Sequence, residues 1–401
     1  MAVIIVGTLD TKGEEIDYVR EVLETGDVDV HVIDAGVVGE PTIEPDTPST
    51  AVAAAGGSSL ATLREQGDRG AAVDVMGDGA AAIARSIYDD GELDGILGVG
   101  GSGNTSIATA AMRALPYGVP KLMVSTMASG DVRPYVGPYD IVMMHAVADI
   151  EGLNQLTRTV LSNAAHAMSG MVGADVGMEA STQQTIAITM FGVTTPCVKT
   201  ARSYLEANGY ETIVFHATGT GGQAMENLIE EGVIDGVLDV TTTELADEHV
   251  GGVLSAGPDR LTVAGAHGIP QVVSVGALDM VNFGPADTVP AAFQGRRFHQ
   301  HNPQVTLMRT TREENEALGR TIASKLNAAK GPVTIALPLQ GVSMLDRTGE
   351  DFHDPDADEA LFNAIANGID DEVELLEIDA HINDEQFSQA IADRLIAYLT
   401  A

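Results

Sequence analysis

Basic side chains are scarce in this sequence of 401 residues: 21 lysines and arginines stand against 58 aspartates and glutamates, a formal net charge of −37. A field of that sign repels a polyanion, which argues against a phosphate-neutralising nucleic-acid surface. It disfavours an anionic membrane face for the same reason. Lysine occurs only as Lys12, Lys121, Lys199, Lys325 and Lys330. Acid-rich, lysine-poor surfaces resemble those of halophilic proteins, whose salt-saturated cytoplasm screens self-repulsion. The charge then describes the solvent; a polybasic partner is the alternative source. The single cysteine, Cys197, excludes an intrachain disulfide and a multi-thiolate metal site. No apolar run approaches the roughly 20 residues that span a bilayer. The first ten residues, MAVIIVGTLD, lack a basic segment and reach Asp10 early, so they read as a buried strand rather than a signal peptide. The expectation is a soluble cytoplasmic protein.

What is present is apolar sequence in a regular plan. Hydrophobic residues make up 44% of the chain, enough for a substantial core, and the length allows two or three domains at roughly 150 residues each. Strand-like apolar runs alternate with helix-like stretches, the grammar of parallel α/β sheets. Val3–Val6, Val28–Ile33 and DGILGVGG from Asp94 read as strands. Glu14–Leu23 and Ala80–Tyr88 read as helices, with an acidic, Pro- and Thr-rich insertion at Glu40–Thr50. The second half repeats the plan, with strands at Ile186–Met190 and Thr212–Phe215 and helices at Cys197–Asn208 and Gln223–Glu231. Asp235-Gly236-Val237-Leu238 echoes Asp94-Gly95-Ile96-Leu97, and GIPQVVSVGALD from Gly268 answers GVPKLMVSTMASGD from Gly118. The reading is α/β with two tandem Rossmann-like, doubly wound, mainly parallel domains, residues 1–180 and 181–401, joined near 174–185. Gly152–Met171 is expected to be helical and to pack between them, and Asp384–Leu399 to be a closing helix.

Three small-residue loops stand at strand ends of the first half. GVGGSGNTS, Gly98 to Ser106, lies between a buried strand and an Ala-rich helix. Glycines there allow close backbone approach, and the helix start presents free amides to an anion. Ser102, Thr105 and Ser106 add hydroxyl donors. No lysine follows, so this is not a Walker A loop, and the GxGxxG spacing is absent. GTLDTKG, Gly7 to Gly13, ends the first strand; Lys12 is a partner for phosphate, and Asp10 is a candidate to hold a divalent cation or to cap the following helix. STMASGD, Ser125 to Asp131, supplies a third cradle, with Arg133 and Tyr135 close behind.

The second half carries other candidates. HATGTGG, His216 to Gly222, could hold a second anion or a substrate carboxylate. Where the first half has GGSGNTS the second has TTTELAD, Thr241 to Asp247, so no second nucleotide is expected; Glu244 and His249 are helix-start candidates for facing an interdomain cleft. GRRFHQHNPQVTLMRTTREE, from Gly295, concentrates Arg296, Arg297, His299, His301 and Asn302. His299 and His301, at i and i+2, would share one side of a strand, which permits a metal, although no third ligand is evident. Ser343, Asp346, Asp351, His353 and Asp354 could be written as a Ser–His–Asp set, yet the strained GxSxG elbow is missing.

Together GTLDTKGEE, GVGGSGNTS, STMASGDVRPYVGPYDIVMMHAVADIEGLN, RRFHQHNP and PLQGVSMLDRTGEDFHDPDAD resemble the uncharacterised protein family that includes the N-terminal domain of the tomato mosaic virus resistance protein. The resemblance spans nearly the whole chain. It implies a two-domain Rossmann-like architecture, ATP as ligand of the first domain, and a homodimer. It places ATP against Thr8, Asp10, Thr11 and Lys12, its phosphates near Gly100, Gly101, Ser102, Gly103, Asn104, Thr105 and Ser106, and Ser125, Thr126, Ala128, Ser129 and Gly130 closing the pocket. Asn104 departs from the pattern, standing where relatives commonly have glycine. The family's reaction is not established. The expectation is therefore an ATP-binding protein, Mg²⁺-assisted, acting on an unidentified small molecule in the interdomain cleft. His216, Arg296, Arg297, His299 and His301 are its substrate-side candidates. Two alternatives stand: a non-catalytic nucleotide sensor or interaction module, and a metal-dependent hydrolase or lyase using the C-terminal His and Asp residues.

Overall fold

The computed structural model describes residues 1–174 and 183–401. The chain divides into two compact units, Met1–Met178 and Glu179–Ala401. In the first, β1 (Ala2–Gly7), α1 (Leu9–Thr25) and β2 (Asp29–Asp34) lead to three helices, α2 (Ser49–Ala55), α3 (Leu60–Gln66) and α4 (Arg69–Asp89). Then come β3 (Gly95–Gly100), α5 (Ser102–Arg113), β4 (Lys121–Ser125), α6 (Arg133–Val136), β5 (Val142–His145) and α7 (Gln155–Gly173). The five strands are parallel in the order β2-β1-β3-β4-β5. Alternate strand residues feed opposite faces, as the period of two requires. Ile4, Val6, Ile96 and Met123 pack beneath α2 to α5, while Val3, Ile5, Leu97 and Val124 pack beneath α1 and α7. A parallel sheet covered on both faces needs strands that are apolar throughout, and GILGVG is buried from end to end.

The second unit begins with β6 (Thr185–Met190), α8 (Thr195–Ala207), β7 (Glu211–His216), α9 (Thr220–Glu230) and β8 (Gly236–Thr241). It continues through α10 (Thr243–Val250), α11 (Val263–His267) and β9 (Gln271–Gly276), then an antiparallel insertion of β10 (Met280–Phe283), β11 (Phe298–Asn302) and β12 (Val305–Arg309). It closes with α12 (Arg312–Asn327), β13 (Val333–Pro338), α13 (Pro355–Gly368), β14 (Glu374–Ile378) and α14 (Glu385–Leu399). The main sheet is parallel, in the order β14-β13-β9-β8-β6-β7. Counted within each unit, both sheets run 2-1-3-4-5, and the second adds a sixth strand. The echoing sequences fall on equivalent strands: Asp94–Leu97 and Asp235–Leu238 lead into the third strand of each sheet, and the Gly118 and Gly268 segments form the fourth. Both units are Rossmann-like.

The helix α7 lies on the first sheet beside α1, burying Leu161, Ala164, Ala165 and Met168 there. One local expectation is corrected. The acidic insertion ends at Pro48 and is followed by α2 and α3, which the apolar spacing does not predict. Among the described residues no helix is long and apolar enough to cross a membrane.

Candidate functional site: the carboxyl edge of the first sheet

In the 2-1-3-4-5 order the chain leaves the sheet in opposite directions after β1 and β3, and the crevice between those strand ends is where ligands collect. The loops after β1 and β3 meet there. Gly101 begins α5 with extended backbone and no side-chain cap. The amides of Ser102, Gly103 and Asn104, in the first turn, have no intrahelical acceptor, and among the described residues none donates to another protein group. Ser102 is exposed, Gly101 and Gly103 half-exposed. Partial positive charge therefore faces outward from a glycine-lined edge.

The floor beneath is fixed. Asn104 is 3% exposed; its Nδ2 donates to the carbonyls of Val6 (3.1 Å) and Val99 (2.8 Å) and so pins the ends of β1 and β3 at a set spacing. Its Oδ1 is buried without a partner. The Asn104 side chain is thus turned into the sheet. The Thr105 hydroxyl donates to the Gly101 carbonyl at 2.8 Å and lies 2.7 Å from the Ser125 hydroxyl. Ser125 Oγ also accepts the Met127 amide. Thr105 and Ser125 are both fully buried, so they shape the loops from below. Thr126 is half-buried and Ser129 and Gly130 are exposed. Ser106 turns its hydroxyl back onto the Ser102 carbonyl.

The turn after β1 adds charge. Thr8 and Thr11 hydroxyls sit 3.0 Å apart, and the Thr8 carbonyl accepts the amides of Thr11 and Lys12. Lys12 breaks helical geometry at φ −131°, ψ 20° and donates from Nζ to Glu151 at 3.2 Å. Asp10 accepts the Val38 and Gly39 amides through Oδ2, and among the described residues its Oδ1 makes no hydrogen bond. That free oxygen is compatible with cation binding. Gly36 leaves room for it: a Cβ there would lie 2.8 Å from Asp10 Oδ1. Asp34, at the end of β2, accepts the Leu9 and Gly36 amides; burial raises its pKa, against the pull of those donors. A separate hollow lined by Gly118, Pro120, Lys121, Asp140 and His166 opens at the opposite, amino-terminal edge, away from this chemistry.

The second unit treats the same places differently. Thr241 to Asp247 are all buried. Glu244 accepts the Gly219 amide at 2.7 Å and the Gly222 amide at 3.1 Å through Oε1, and Arg260 Nε at 2.7 Å through Oε2. The anion position read into HATGTGG is therefore filled by the protein's own carboxylate, not open to a ligand; a Cβ on Gly222 would stand 2.3 Å from Glu244. Arg260, 1% exposed, also meets Asp239 and Glu226. Burial pushes the Glu226 and Glu244 carboxyls upward against Arg260's attraction, and the surrounding carboxylates hold Arg260 well above its ordinary value. Sequence reasoning missed Arg260 and Asp239, since neither lies in a glycine loop.

The other candidates are dispersed. Among the described residues, His216, exposed at the end of β7, meets Phe191 edge-on and no other candidate. Arg296 is bound by Glu314 and the Arg309 carbonyl. Arg297 donates to the Asp351 and His353 carbonyls. His299 Nδ1 lies 2.7 Å from Asp351 Oδ2, an arrangement able to orient an imidazole for proton transfer. His301 falls in a β-bulge, where the register shifts between Gln300 and Asn302; this disrupts the alternation on which a shared face with His299 depends. Among the described residues no three His, Cys, Asp or Glu side chains come together to hold a metal. Ser343 Oγ donates to Asp279, and His353 stands 4.0 Å from Asp346 with no bond to Ser343, so among the described residues the Ser–His–Asp set read from Ser343, Asp346, Asp351, His353 and Asp354 is not assembled.

Comparison with known proteins places these features in a family. Residues 1–176 match the N-terminal domain, and residues 183–399 the C-terminal domain, of the uncharacterised protein family UPF0261. A UPF0261 protein of Clostridium tetani is 52% identical, covering 98% of each chain. The ToMV resistance protein Tm-1(GCR237) of Solanum lycopersicum is 40% identical over 98% of this chain and 55% of its own length. Among solved structures, a UDP-N-acetylglucosamine 2-epimerase aligns over 100% of this chain and 97% of its own at 12% identity and a TM-score of 0.23. A second from Rickettsia bellii aligns over 68% and 78% at 9% identity and a TM-score of 0.23. At such scores these structures bear on neither mechanism nor ligand.

Proposed function

The chain belongs to the uncharacterised protein family UPF0261, and we propose that its first unit binds ATP at the β1/β3 crevice, with Mg²⁺ carried on the phosphates. The observation that supports this most is the unfilled first turn of α5: three amides at a switch point, on a glycine-lined edge, with no protein acceptor among the described residues. Anions are stabilised at such a helix start. The polyphosphate lies over Gly101 to Asn104, and Lys12 contributes a cation from the β1 side. Asp10 Oδ1 is the carboxylate oxygen available to water around the metal. Asn104 and Asp34 act as positioning residues, holding strand ends and the α1 start in place.

Calorimetric titration of Mg-ATP in molar KCl tests this. Saturable binding is expected in the wild type, weakened about tenfold by Lys12→Ala, the effect of losing one charge-assisted contact. Wild-type protein that does not bind ATP would overturn the reading.

A further inference from the structure

The antiparallel insertion of the second unit commits two arginines to one loop, in a chain with only 21 basic residues against 58 acids. Arg297 donates to the Asp351 carbonyl at 3.5 Å and the His353 carbonyl at 3.2 Å. Arg309 takes the carbonyls between and after them, Phe352 at 2.7 Å and Asp354 at 3.4 Å. The Arg309 amide donates to the Arg297 carbonyl at 2.9 Å, which carries the β11–β12 pairing one residue past Phe298 and sets the two arginines side by side. Arg309 is buried and anchored in turn by Asp358 at 2.7 Å, and Phe352 is fully buried. Every carbonyl from Asp351 to Asp354 is therefore clamped. The loop joins β13 to α13 at the carboxyl edge of the second sheet, where α/β folds bind ligands.

What the clamped loop orients is His299. It stands two positions after Arg297 and shares that residue's face of the strand. Its Nδ1 lies 2.7 Å from Asp351 Oδ2, and its ring meets Phe352 edge-on. A carboxylate at Nδ1 keeps the proton there, so Nε2 carries the lone pair. Among the described residues Nε2 has no partner. Arg297 is half-used in the same way: its carbonyl bonds run from Nη1, and among the described residues Nη2 makes no hydrogen bond, with Asp354 Oδ2 3.6 Å off. The His299 side chain is 29% exposed and that of Arg297 48%, so a small solute reaches both. A surface His–Asp pair adds no more than about 1 kcal/mol to stability. Holding its loop at four successive carbonyls is the support that a reacting group needs.

We propose that the second unit carries a proton-transfer site of its own, in which Arg297 binds the carboxylate of a small keto acid and His299, oriented by Asp351, takes a proton from the carbon beside the keto group. The C–H bond breaks, an N–H bond forms at Nε2, and the electron pair passes to the keto oxygen as an enolate. Return of the proton from Nε2 to carbon reverses the step, so no co-reactant is consumed. A keto acid fits because its carboxylate matches the guanidinium fork while its carbonyl acidifies the neighbouring C–H. Alternate strand residues stand roughly 7 Å apart, a span that a three- or four-carbon acid bridges. His299 is the catalytic residue and Asp351 a positioning residue. The site does not depend on the nucleotide reading.

Pyruvate in D₂O is the probe, with loss of its methyl proton signal followed by NMR on the full chain in molar KCl. Saturable exchange is expected in the wild type. His299→Gln should lower the maximal rate about a hundredfold. Asp351→Asn should lower it about tenfold and leave the half-saturating concentration unchanged. Arg297→Ala should raise that concentration about tenfold, and Arg297→Lys should recover part of the loss. Melting temperatures of His299→Gln and Asp351→Asn should stay within about 2 °C of the wild type. A wild-type rate no greater than that of His299→Gln would overturn the proposal. So would a loss of rate in Asp351→Asn that follows a lowered melting temperature, which would make the pair structural.

Discussion

Gly103 and Glu244 occupy the same place in two copies of one plan, and the difference between them separates an open edge from a closed one. Both stand in the first turn of the helix after the third strand. In the first unit Ser102 is exposed and, among the described residues, the amides of the turn have no acceptor. In the second the turn is buried, Glu244 takes the Gly219 and Gly222 amides, and Arg260 is surrounded by Asp239, Glu226 and Glu244. The lesson is that a helix start in this fold carries a standing demand for negative charge. A fold can meet that demand with its own side chain and become rigid there, or leave it for a ligand.

If the second edge is closed by its own ions, breaking them should unfold it. Arg260→Ala leaves three buried carboxylates without their cation, a loss of about 3–5 kcal/mol. Hydrogen–deuterium exchange resolves the unit concerned: protection in Gly236–Thr241 should fall sharply while Gly95–Gly100 keeps its own. A change below about 1 kcal/mol would mean that the cluster is not holding the second unit together.

Acid should tighten the second unit. Burial raises the Asp247 carboxyl to about 7, although Asn282 and Leu254 donate to it. Unfolded aspartate titrates near 3.9. Between those values the folded chain keeps a proton that the unfolded chain releases, so stability falls as pH rises from about 4 to about 7 and levels off above. From pH 8 to pH 5.5 this one group should add about 2 kcal/mol. Burial likewise raises Asp279 to about 7 and Asp358 to about 8, which extends the same trend. Relief of the general negative charge also favours acid, so the discriminating measurement is Asp247→Asn, whose pH dependence should be shallower by about that amount. The substitution fits: Asn282 Oδ1, buried without a partner, can accept from the new amide once the Asn282 side chain flips. Parallel pH profiles for the two proteins would contradict the assignment.

Much of this contrast was legible in the sequence. Buried β-branched runs ending in glycine marked the parallel strands, because two-faced burial leaves no polar alternation to confuse the period. The repeat was readable because Asp-Gly before an apolar strand recurs with the same downstream spacing, and the replacement of GGSGNTS by TTTELAD already pointed to a missing cradle. What fills the gap was not legible. Arg260 reaches Glu244 from 16 residues away and Asp239 from 21, and local spacing says nothing about a contact that tertiary packing creates. The hydroxyls of Thr105 and Ser125 read as ligand donors from residue type alone, yet burial turns them toward each other.

The smallest effect probes the first edge most finely. Lys12 is the cation proposed for the phosphates from the β1 side, and its ammonium is already engaged by Glu151 across 3.2 Å. Lys12 is 16% exposed and Glu151 84%, so water screens the pair and it is worth no more than about 1 kcal/mol. A ligand phosphate must compete with that carboxylate for the same donor. Glu151→Gln removes the competition and one negative charge from the rim, and should raise Mg-ATP affinity about two- to fivefold. In the Lys12→Ala background the substitution should lose most of its benefit, because only the weak rim charge is then relieved. Equal gains with and without Lys12 would show that Glu151 acts through the general field of an acidic protein, and the first edge would then lack the specific cation that distinguishes it from the second.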